Sequence, residues 1–286
     1  MRTGSVAFID APGEPLTEFM QPLAAFALAH RRRIRGILTD IDDNLTTEGK
    51  LTPDAYDALG RLREAGFLVV PITGRPAGWC DHIARMWPVD AVVGENGAFY
   101  FRYDAKMRKL EKRFLDDEAT RAGKRARLKR LGDKILAEVP GAALASDQLY
   151  RESDLAIDFC EDVPPLPAAS VDRIVALFEE AGCTAKISSI HVNGWFGDYN
   201  KLGMSRRLLN EAFGIDLDRL RDQFVYAGDS PNDQPMFAYF PHAVGVANVR
   251  DFTDRLQDKP RYVTPSRGGA GFAELAAGLL AVRAAS

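Results

Sequence analysis

Four short runs in this chain are apolar at nearly every position: Phe67-Leu68-Val69-Val70-Pro71-Ile72, Ala91-Val92-Val93, Phe224-Val225-Tyr226-Ala227 and Ala243-Val244-Gly245-Val246. A strand with one wet face alternates apolar and polar residues, so unbroken runs of this length mark strands covered on both faces. Helical patterns separate them. Thr52-Pro53-Asp54 has the form of a helix start, Ala55, Leu59 and Leu62 recur at helical spacing, and Gly66 ends the pattern. Strand, helix and strand in that order give a right-handed parallel unit, and open parallel sheets bind ligands beyond the carboxyl ends of their strands. Three polar clusters stand at such ends: Asp40-Ile41-Asp42-Asp43, Thr73-Gly74-Arg75-Pro76 and Gly228-Asp229-Ser230-Pro231-Asn232-Asp233.

The parallel signature stops in the middle of the chain. It gives way to a highly charged helical segment, the alternating strand Leu155-Ala156-Ile157-Asp158-Phe159, the linker-like Val163-Pro164-Pro165-Leu166-Pro167, and a helix pattern through Val171, Ile174, Val175, Leu177 and Phe178. The expected architecture is α/β: a Rossmann-like parallel-sheet core from residues 34–104 and 191–286, with a separate α+β domain inserted over 105–190. A chain of 286 residues has room for both. Residues 1–33, closing on Arg31-Arg32-Arg33, read as an appended helical extension whose basic end suits its dipole. Between Ala105 and Lys134, 12 Lys or Arg stand against 5 Asp or Glu, either a solvated helix face or an electrostatic funnel for an anionic substrate.

Composition removes several classes of function. A net charge of -3 gives no global pull toward nucleic acid or an anionic membrane, so neither is an expected partner. There is no apolar stretch of membrane-spanning length and no basic start followed by an apolar h-region, which points to a cytoplasmic protein. Cys80, Cys160 and Cys183 have no CxxC spacing and an odd count, the pattern of reduced thiols rather than of a disulfide framework or a zinc knuckle. Oligomeric state is left open.

The acids at the end of Ile37-Leu38-Thr39 set the chemistry. Two unit charges about 4 Å apart at an effective dielectric near 20 repel by roughly 4 kcal/mol, so carboxylates clustered at a strand end call for a cation among them. Spacing alone is not enough. Asp216-Leu217-Asp218 has the same spacing but follows Gly214 and opens a helical pattern, so it reads as a helix cap. Partners elsewhere distinguish the two. Transfer of a phosphoryl group from an alcohol needs a nucleophile, a proton for the leaving oxygen, donors for the equatorial oxygens and a cation. Asp40 can attack phosphorus, and Asp42 projects to the same side of an extended segment and can handle the proton. Mg2+ requires octahedral oxygen ligation, which Asp40, the carbonyl of Asp42 and Asp229 supply in part. Thr73 offers a hydroxyl, and Lys201 a charge for a phosphate oxygen.

In order and strand-end context, Asp40-x-Asp42, Thr73-Gly74-Arg75, Lys201 and Gly228-Asp229-Ser230-x-Asn232-Asp233 resemble motifs I to IV of the haloacid dehalogenase (HAD) superfamily. The insertion resembles the C2 cap of the Cof-type, or IIB, phosphatases, whose relatives include sucrose-phosphate, trehalose-phosphate and mannosyl-phosphoglycerate phosphatases. Glu95-Asn96-Gly97-Ala98 is similar to that subfamily's Asn-Gly-Ala turn. The resemblance covers roughly residues 34 to 286, the cap matching in placement more than in sequence. This chain departs from the pattern at Asp43 and Asn44, where many relatives carry Gly and Thr.

The resemblance implies a Mg2+-dependent phosphohydrolase acting on a small phosphorylated metabolite, such as a sugar phosphate, through an aspartyl-phosphate on Asp40. Asp42 would serve as acid and then base, with Asp229 a metal ligand beside Asp40 and Asp42. Asn232 and Asp233 would be supporting or alternate ligands, Asp233 equally a helix N-cap, and Gly74 and Arg75 would touch phosphate or brace the loop. A sugar phosphomutase of the same cap class shares these motifs, and a non-catalytic binding module on the same scaffold is the rival from another class. Retention of Asp40, Asp42, Lys201 and Asp229 favours catalysis, and Asp42 disfavours carbon–halogen cleavage, which does not need a second acid.

Other residues are candidates for the leaving-group side. Asn96 lies in the turn just described, and His191 and Asn193 lie in His191-Val192-Asn193-Gly194-Trp195, either a sugar-facing wall or an ordinary strand with a hinge. Arg151, at the start of an expected strand Tyr150-Arg151-Glu152-Ser153-Asp154, is either a substrate clamp or half of a cross-strand ion pair. His30, His82 and His242 form no ligand spacing and read as structural or surface residues. Gly268-Gly269-Ala270-Gly271 reads as a loop before the last helix, and no Walker lysine motif occurs.

Overall fold

The structure, a computed structural model, describes residues 20–188 and 190–283. Its centre is a six-stranded sheet in the order Gln21–Pro22, Tyr262–Val263, Ala243–Gly245, Phe224–Gly228, Gly36–Thr39, Leu68–Pro71. Every pairing in it is parallel. Successive residues of one strand enter different cores: Ile37, Val69, Val225 and Tyr262 face one apolar cluster, and Leu38, Val70, Tyr226 and Val263 face the other. Helices Pro53–Glu64 and Gly268–Arg283 cover the first face, and Lys201–Phe213 and Gln234–Tyr239 the second. That two-sided cover is why these strands are apolar without alternation.

Helix Pro53–Glu64 begins as its sequence predicts, with Thr52 accepting from the Ala55 amide and Pro53 at the first position. The chain winds outward from Gly36–Thr39 to Leu68–Pro71, and after the insertion it winds the other way, from Phe224–Gly228 to Ala243–Gly245. The carboxyl ends of Gly36–Thr39 and Phe224–Gly228 therefore meet at the point where strand order reverses. No described helix is long and apolar enough to cross a membrane.

The inserted domain is a four-stranded antiparallel sheet, in the order Thr184–Ile187, His191–Trp195, Leu155–Asp158, Ala143–Leu144. Its back packs on helices Glu118–Glu138 and Ala168–Glu180 through a separate core that includes Leu128, Ile135, Ile157, Ile174, Phe178 and Val192. Both expected borders move. Phe99–Asp104 and Lys109–Phe114 form a hairpin beside Val92–Gly94, and Phe99, Phe101 and Phe114 pack into the main core, so residues 105–114 stay with the parallel domain. His191–Trp195 is an interior strand of the inserted sheet, so the parallel domain resumes at about Lys201 rather than at residue 191.

Three further expectations are corrected. Residues 1–19 of the expected helical extension lie outside the described residues, and residues 20–33 are not one helix: Gln21–Pro22 is the sheet's edge strand and only Leu28–Arg31 is α-helical. Gly268-Gly269-Ala270-Gly271 is the first turn of the last helix, where a Cβ on Gly269 would lie 2.1 Å from Thr52 Oγ1, so only glycine allows this approach. Tyr150-Arg151-Glu152-Ser153-Asp154 is not a strand; a single 3-10 turn at Gln148–Tyr150 precedes an irregular stretch, and the strand starts at Leu155.

The N-terminal segment is held by ring contacts. Phe26 stacks on His242 at 5.1 Å and on Tyr262 at 4.7 Å, and His30 Nδ1 lies 3.3 Å from His242 Nε2. Burial, with His30 and Arg261 adding, lowers the His242 pKa from 6.5 to about 4. The fold thus prefers neutral His242, and its contribution is complete above pH 6.5 and lost as pH falls toward 4. The expected result is a Tm that falls across this window less steeply in His242→Asn than in the wild type. Parallel pH profiles would count against it.

Candidate active site

Sheet register places the first two carboxylates side by side. Thr39 pairs with Ala227, and the Asp40 amide donates to the Ala227 carbonyl at 2.9 Å, so Asp40 and Asp229 leave adjacent strands at the same level. Lys201 opens helix Lys201–Phe213, whose first turn is capped by the Asn200 side chain. Its Nζ lies 2.8 Å from Asp40 Oδ2 and 2.8 Å from Asp233 Oδ1. Burial opposes the Lys201 charge, but Asp233 and Asp40 outweigh it and raise the pKa. The helix start is itself positioned by Gly97, whose φ is 109° and whose backbone approaches Asn200 so closely that a Cβ would lie 2.2 Å from its carbonyl oxygen.

Asp233 is fully engaged. Oδ1 takes Lys201 and the Tyr226 hydroxyl, while Oδ2 accepts from the amides of Asp229 at 3.0 Å and Ser230 at 3.4 Å. It is the N3 residue of a capping box whose N-cap is Ser230, and its side chain makes no cap hydrogen bond to helix Gln234–Tyr239, so it is not the helix N-cap that the sequence offered as an alternative; the same carboxylate holds Lys201. Carboxylate oxygens of Asp40, Asp229 and Asp233 lie within 4.8 Å of one another. At an effective dielectric near 20 each such pair repels by about 3 kcal/mol. Asp233 is compensated by four donors, so the excess charge rests on Asp40 and Asp229. Burial raises the Asp229 pKa, with Asp233 and Asp40 adding, and burial raises that of Asp40 against the pull of Lys201. The set offers only hard oxygen donors, and three carboxylates against one ammonium leave a surplus of negative charge, a fit for a small divalent cation held by Asp40 and Asp229.

The loop after Asp40 explains the two unusual residues. Asp43 has φ 54°, a left-handed conformation that suits glycine and that Asp tolerates better than most, and its carbonyl accepts from Asn248 Nδ2 at 2.9 Å. Asn44 is completely buried, and its Nδ2 donates to Thr39 Oγ1 at 2.6 Å and to the Asp40 carbonyl at 3.2 Å. Asn44 therefore ties the loop back onto the strand end that carries Asp40.

The second strand end supplies a cation that reaches two domains. Thr73 is wholly buried and its Oγ1 accepts from the Arg75 amide at 3.0 Å. Arg75 Nε lies 3.0 and 3.1 Å from the two oxygens of Asp42, Nη2 donates to Glu161 Oε1 of the inserted domain at 3.1 Å, and the guanidinium sits over Trp79. Arg75 thus braces Asp42. Glu161 also lies 2.8 Å from His191 Nε2, and His191 together with Arg75 lowers its pKa to about 2 against burial.

Arg151 is not a cross-strand partner; it pairs with acids three and four residues away in the chain and also lines the cleft. Its side chain is buried between Asp147 and Asp154, and Nη1 donates to the Gly74 carbonyl at 2.9 Å. Glu95, also buried, accepts from the amides of Ala77, Glu152, Ser153 and Asp154, which fastens this stretch of the inserted domain to the core. Asn193 Nδ2 donates to Asp154 Oδ2 at 3.0 Å. The cleft between the domains, ≈ 490 Å³ with its open mouth, is floored by Asp40, Asp42 and Asp229 and roofed by Lys186, His191 and Asn193. Gly74, Asn96 and Asn232 also line it, and Asn232 Oδ1 accepts from the Ser230 hydroxyl at 3.0 Å.

Sequence reasoning passed over Tyr226, Glu95 and Glu161. Tyr226 and Glu95 had a signal, a polar group at the end of an apolar strand beside a motif. Glu161 had none, because it meets Arg75 across 86 residues of chain.

Fold and site first define a class: an α/β enzyme with a buried carboxylate–lysine centre at the switch point of its sheet and an inserted cap above it. Residues 37–128 match the profile of the haloacid dehalogenase-like hydrolases. The match spans about a third of the chain and takes in the first two strand-end clusters. No curated protein matches the chain. Among solved structures it resembles the Thermoplasma acidophilum 0175 protein at 18% identity and TM-score 0.65, with 86% of this chain and 98% of that one covered. The C-terminal domain of trehalose-6-phosphate phosphatase from C. albicans is similar at 12% identity and TM-score 0.66, covering 92% and 98%. The sucrose-phosphatase of Synechocystis sp. PCC6803, solved with sucrose and phosphate, is similar at 18% identity and TM-score 0.59, covering 86% and 98%. At these identities the likeness is one of fold.

Asn44→Ala removes two buried hydrogen bonds beside Asp40. The expected cost is about 1–3 kcal/mol in denaturant unfolding. An unchanged midpoint would show that the loop does not depend on Asn44.

Proposed function

We propose that this enzyme is a Mg2+-dependent phosphohydrolase that acts on a small phosphorylated metabolite, such as a sugar phosphate, through an aspartyl-phosphate. The observation that carries the reading is the pairing of two carboxylates on one strand-end loop with different cations. Lys201 sits 2.8 Å from Asp40, and Arg75 3.0 Å from Asp42. One carboxylate faces a charge suited to a phosphate oxygen, and the other is aimed by a rigid fork. The neighbouring sucrose-phosphatase and trehalose-6-phosphate phosphatase folds support a phosphorylated sugar as substrate class.

In the first step an oxygen of Asp40 attacks phosphorus and the bond to the leaving oxygen breaks. Its electron pair stays on that oxygen, which takes the proton held by Asp42. In the second step water attacks the phosphorus, passes a proton to Asp42, and the bond to Asp40 breaks to release inorganic phosphate. Lys201 neutralises the transferring group, and Thr73, whose Oγ1 accepts from the Arg75 amide, keeps its own hydroxyl proton to donate. Asp40 and Asp229, with the Asp42 carbonyl, would hold Mg2+, which when bound supplies positive charge against the phosphoryl oxygens. The cap residues above the cleft exclude water and shape the leaving-group side.

Phosphate release across a panel of phosphorylated metabolites, with and without Mg2+, tests the reading. Activity that needs Mg2+, disappears in Asp40→Asn and falls about 10²- to 10⁴-fold in Asp42→Asn is expected. Turnover that survives in Asp40→Asn would refute it, and conversion to an isomeric phosphate without phosphate release would identify a mutase instead.

A further inference from the structure

Arg75 has partners on both sides of the cleft. The core contributes Asp42, gripped by Nε at 3.0 and 3.1 Å and by Nη2 at 3.0 Å. The cap contributes Glu161 at 3.1 Å from Nη2 and Asp147 at 3.6 Å from Nη1. A guanidinium is planar, so fixing one nitrogen fixes the direction of all of them. The hold of Glu161 on Nη2 therefore decides how the fork presents Asp42.

Glu161 is itself held in place. It lies in a tight turn whose amides at Cys160, Glu161 and Asp162 all donate to the buried Asp158 carboxylate, at 2.9, 2.7 and 2.8 Å. Its second oxygen is 2.8 Å from His191 Nε2, and His191 stands opposite Asp158 in the register of the cap sheet. A continuous chain of side chains, His191, Glu161, Arg75 and Asp42, thus runs from the cap sheet to the loop of Asp40.

We propose that Glu161 and His191 are positioning residues of the cap, which aim the proton-carrying carboxylate of Asp42 at the leaving oxygen by fixing the Arg75 fork. This rests on the phosphohydrolase reading and gives His191 a role other than substrate contact. It makes proton donation depend on a seated cap: the acid is aligned only when cap and core share Arg75. A proton donor misplaced by a fraction of an ångström to one ångström loses much of its effect, so the penalty falls on esters whose leaving group needs the proton.

The test compares two esters on the full chain. One is an alkyl phosphate that the wild type hydrolyses, and the other is 4-nitrophenyl phosphate, whose leaving group departs without a proton. Glu161→Gln is isosteric and alters a side chain that is 29% exposed, so folding is expected to survive, as thermal unfolding will show. The rate to read is release of the leaving alcohol in a single turnover with enzyme in excess, because the second step, in which Asp42 accepts the proton of water, is common to both esters. The expected result for Glu161→Gln is a single-turnover rate lowered about 10- to 100-fold on the alkyl ester and within about 3-fold of wild type on the nitrophenyl ester. His191→Asn should shift this rate in the same selective sense. Because the residues act as one unit, Arg75→Lys/Glu161→Gln should be no slower on the alkyl ester than Arg75→Lys alone. Equal losses of this rate on both esters, weaker binding at an unchanged rate, or additive losses in the double variant would overturn the proposal while leaving the phosphohydrolase reading intact. A wild type that hydrolyses neither ester would overturn both.

Discussion

Lys201 is the charge on which the site depends. Three buried carboxylates within 4.8 Å of one another cannot persist without compensation, and Lys201 reaches two of them at 2.8 Å each. Its partners come from opposite ends of the chain: Asp40 follows the first long strand, and Asp233 caps a turn nearly 200 residues later. Removing Lys201 would leave both buried carboxylates without their shared cation, which costs several kcal/mol. The same interaction that orders the chemistry therefore also joins the two halves of a core that an inserted domain interrupts.

Asp233 shows how one carboxylate can serve fold and site together. Each of its oxygens accepts two donors, which closes the turn after Phe224–Gly228, and its hold on Lys201 sets where that ammonium points. With Asp233 fully occupied, the excess negative charge remains on Asp40 and Asp229, at the floor of the cleft where a cation and a phosphoryl group can answer it. The cap has a similar economy. One face of its sheet packs on two helices, and the other presents Lys186, His191 and Asn193 to the cleft. Many of the basic residues of helix Glu118–Glu138 are neutralised nearby: Lys124 by Asp116, Arg125 by Glu118 and Glu152, and Lys134 by Glu138 and Glu180, while Arg127 lies over Phe196. Those contacts favour a solvated, paired helix face over an electrostatic funnel.

The borders of the cap are hidden in the sequence for a definite reason. Phe99–Asp104 and Lys109–Phe114 carry charges on their outer face, and in sequence a charged hairpin resembles the start of a charged domain. What assigns it to the core is the inward row of Phe99, Phe101 and Phe114, and that row becomes visible only when the strands are paired. His191–Trp195 has the converse problem: a buried strand near the end of an insertion looks the same whichever sheet it joins.

The sequence by itself determined the parallel core, the cluster at each strand end and the order of those clusters, because unbroken apolar runs, helix caps and acid spacing are local properties of the chain. It also marked Asp43 and Asn44 as unusual. The tertiary structure decided what those residues do: a φ of 54° at Asp43, a buried bond from Asn44 to Thr39, and Arg151 held between Asp147 and Asp154 rather than across a strand pair. It also decided that Arg75 joins Asp42 to Glu161. Ion pairs and buried hydrogen bonds between distant segments depend on distance and desolvation, which no spacing along the chain encodes.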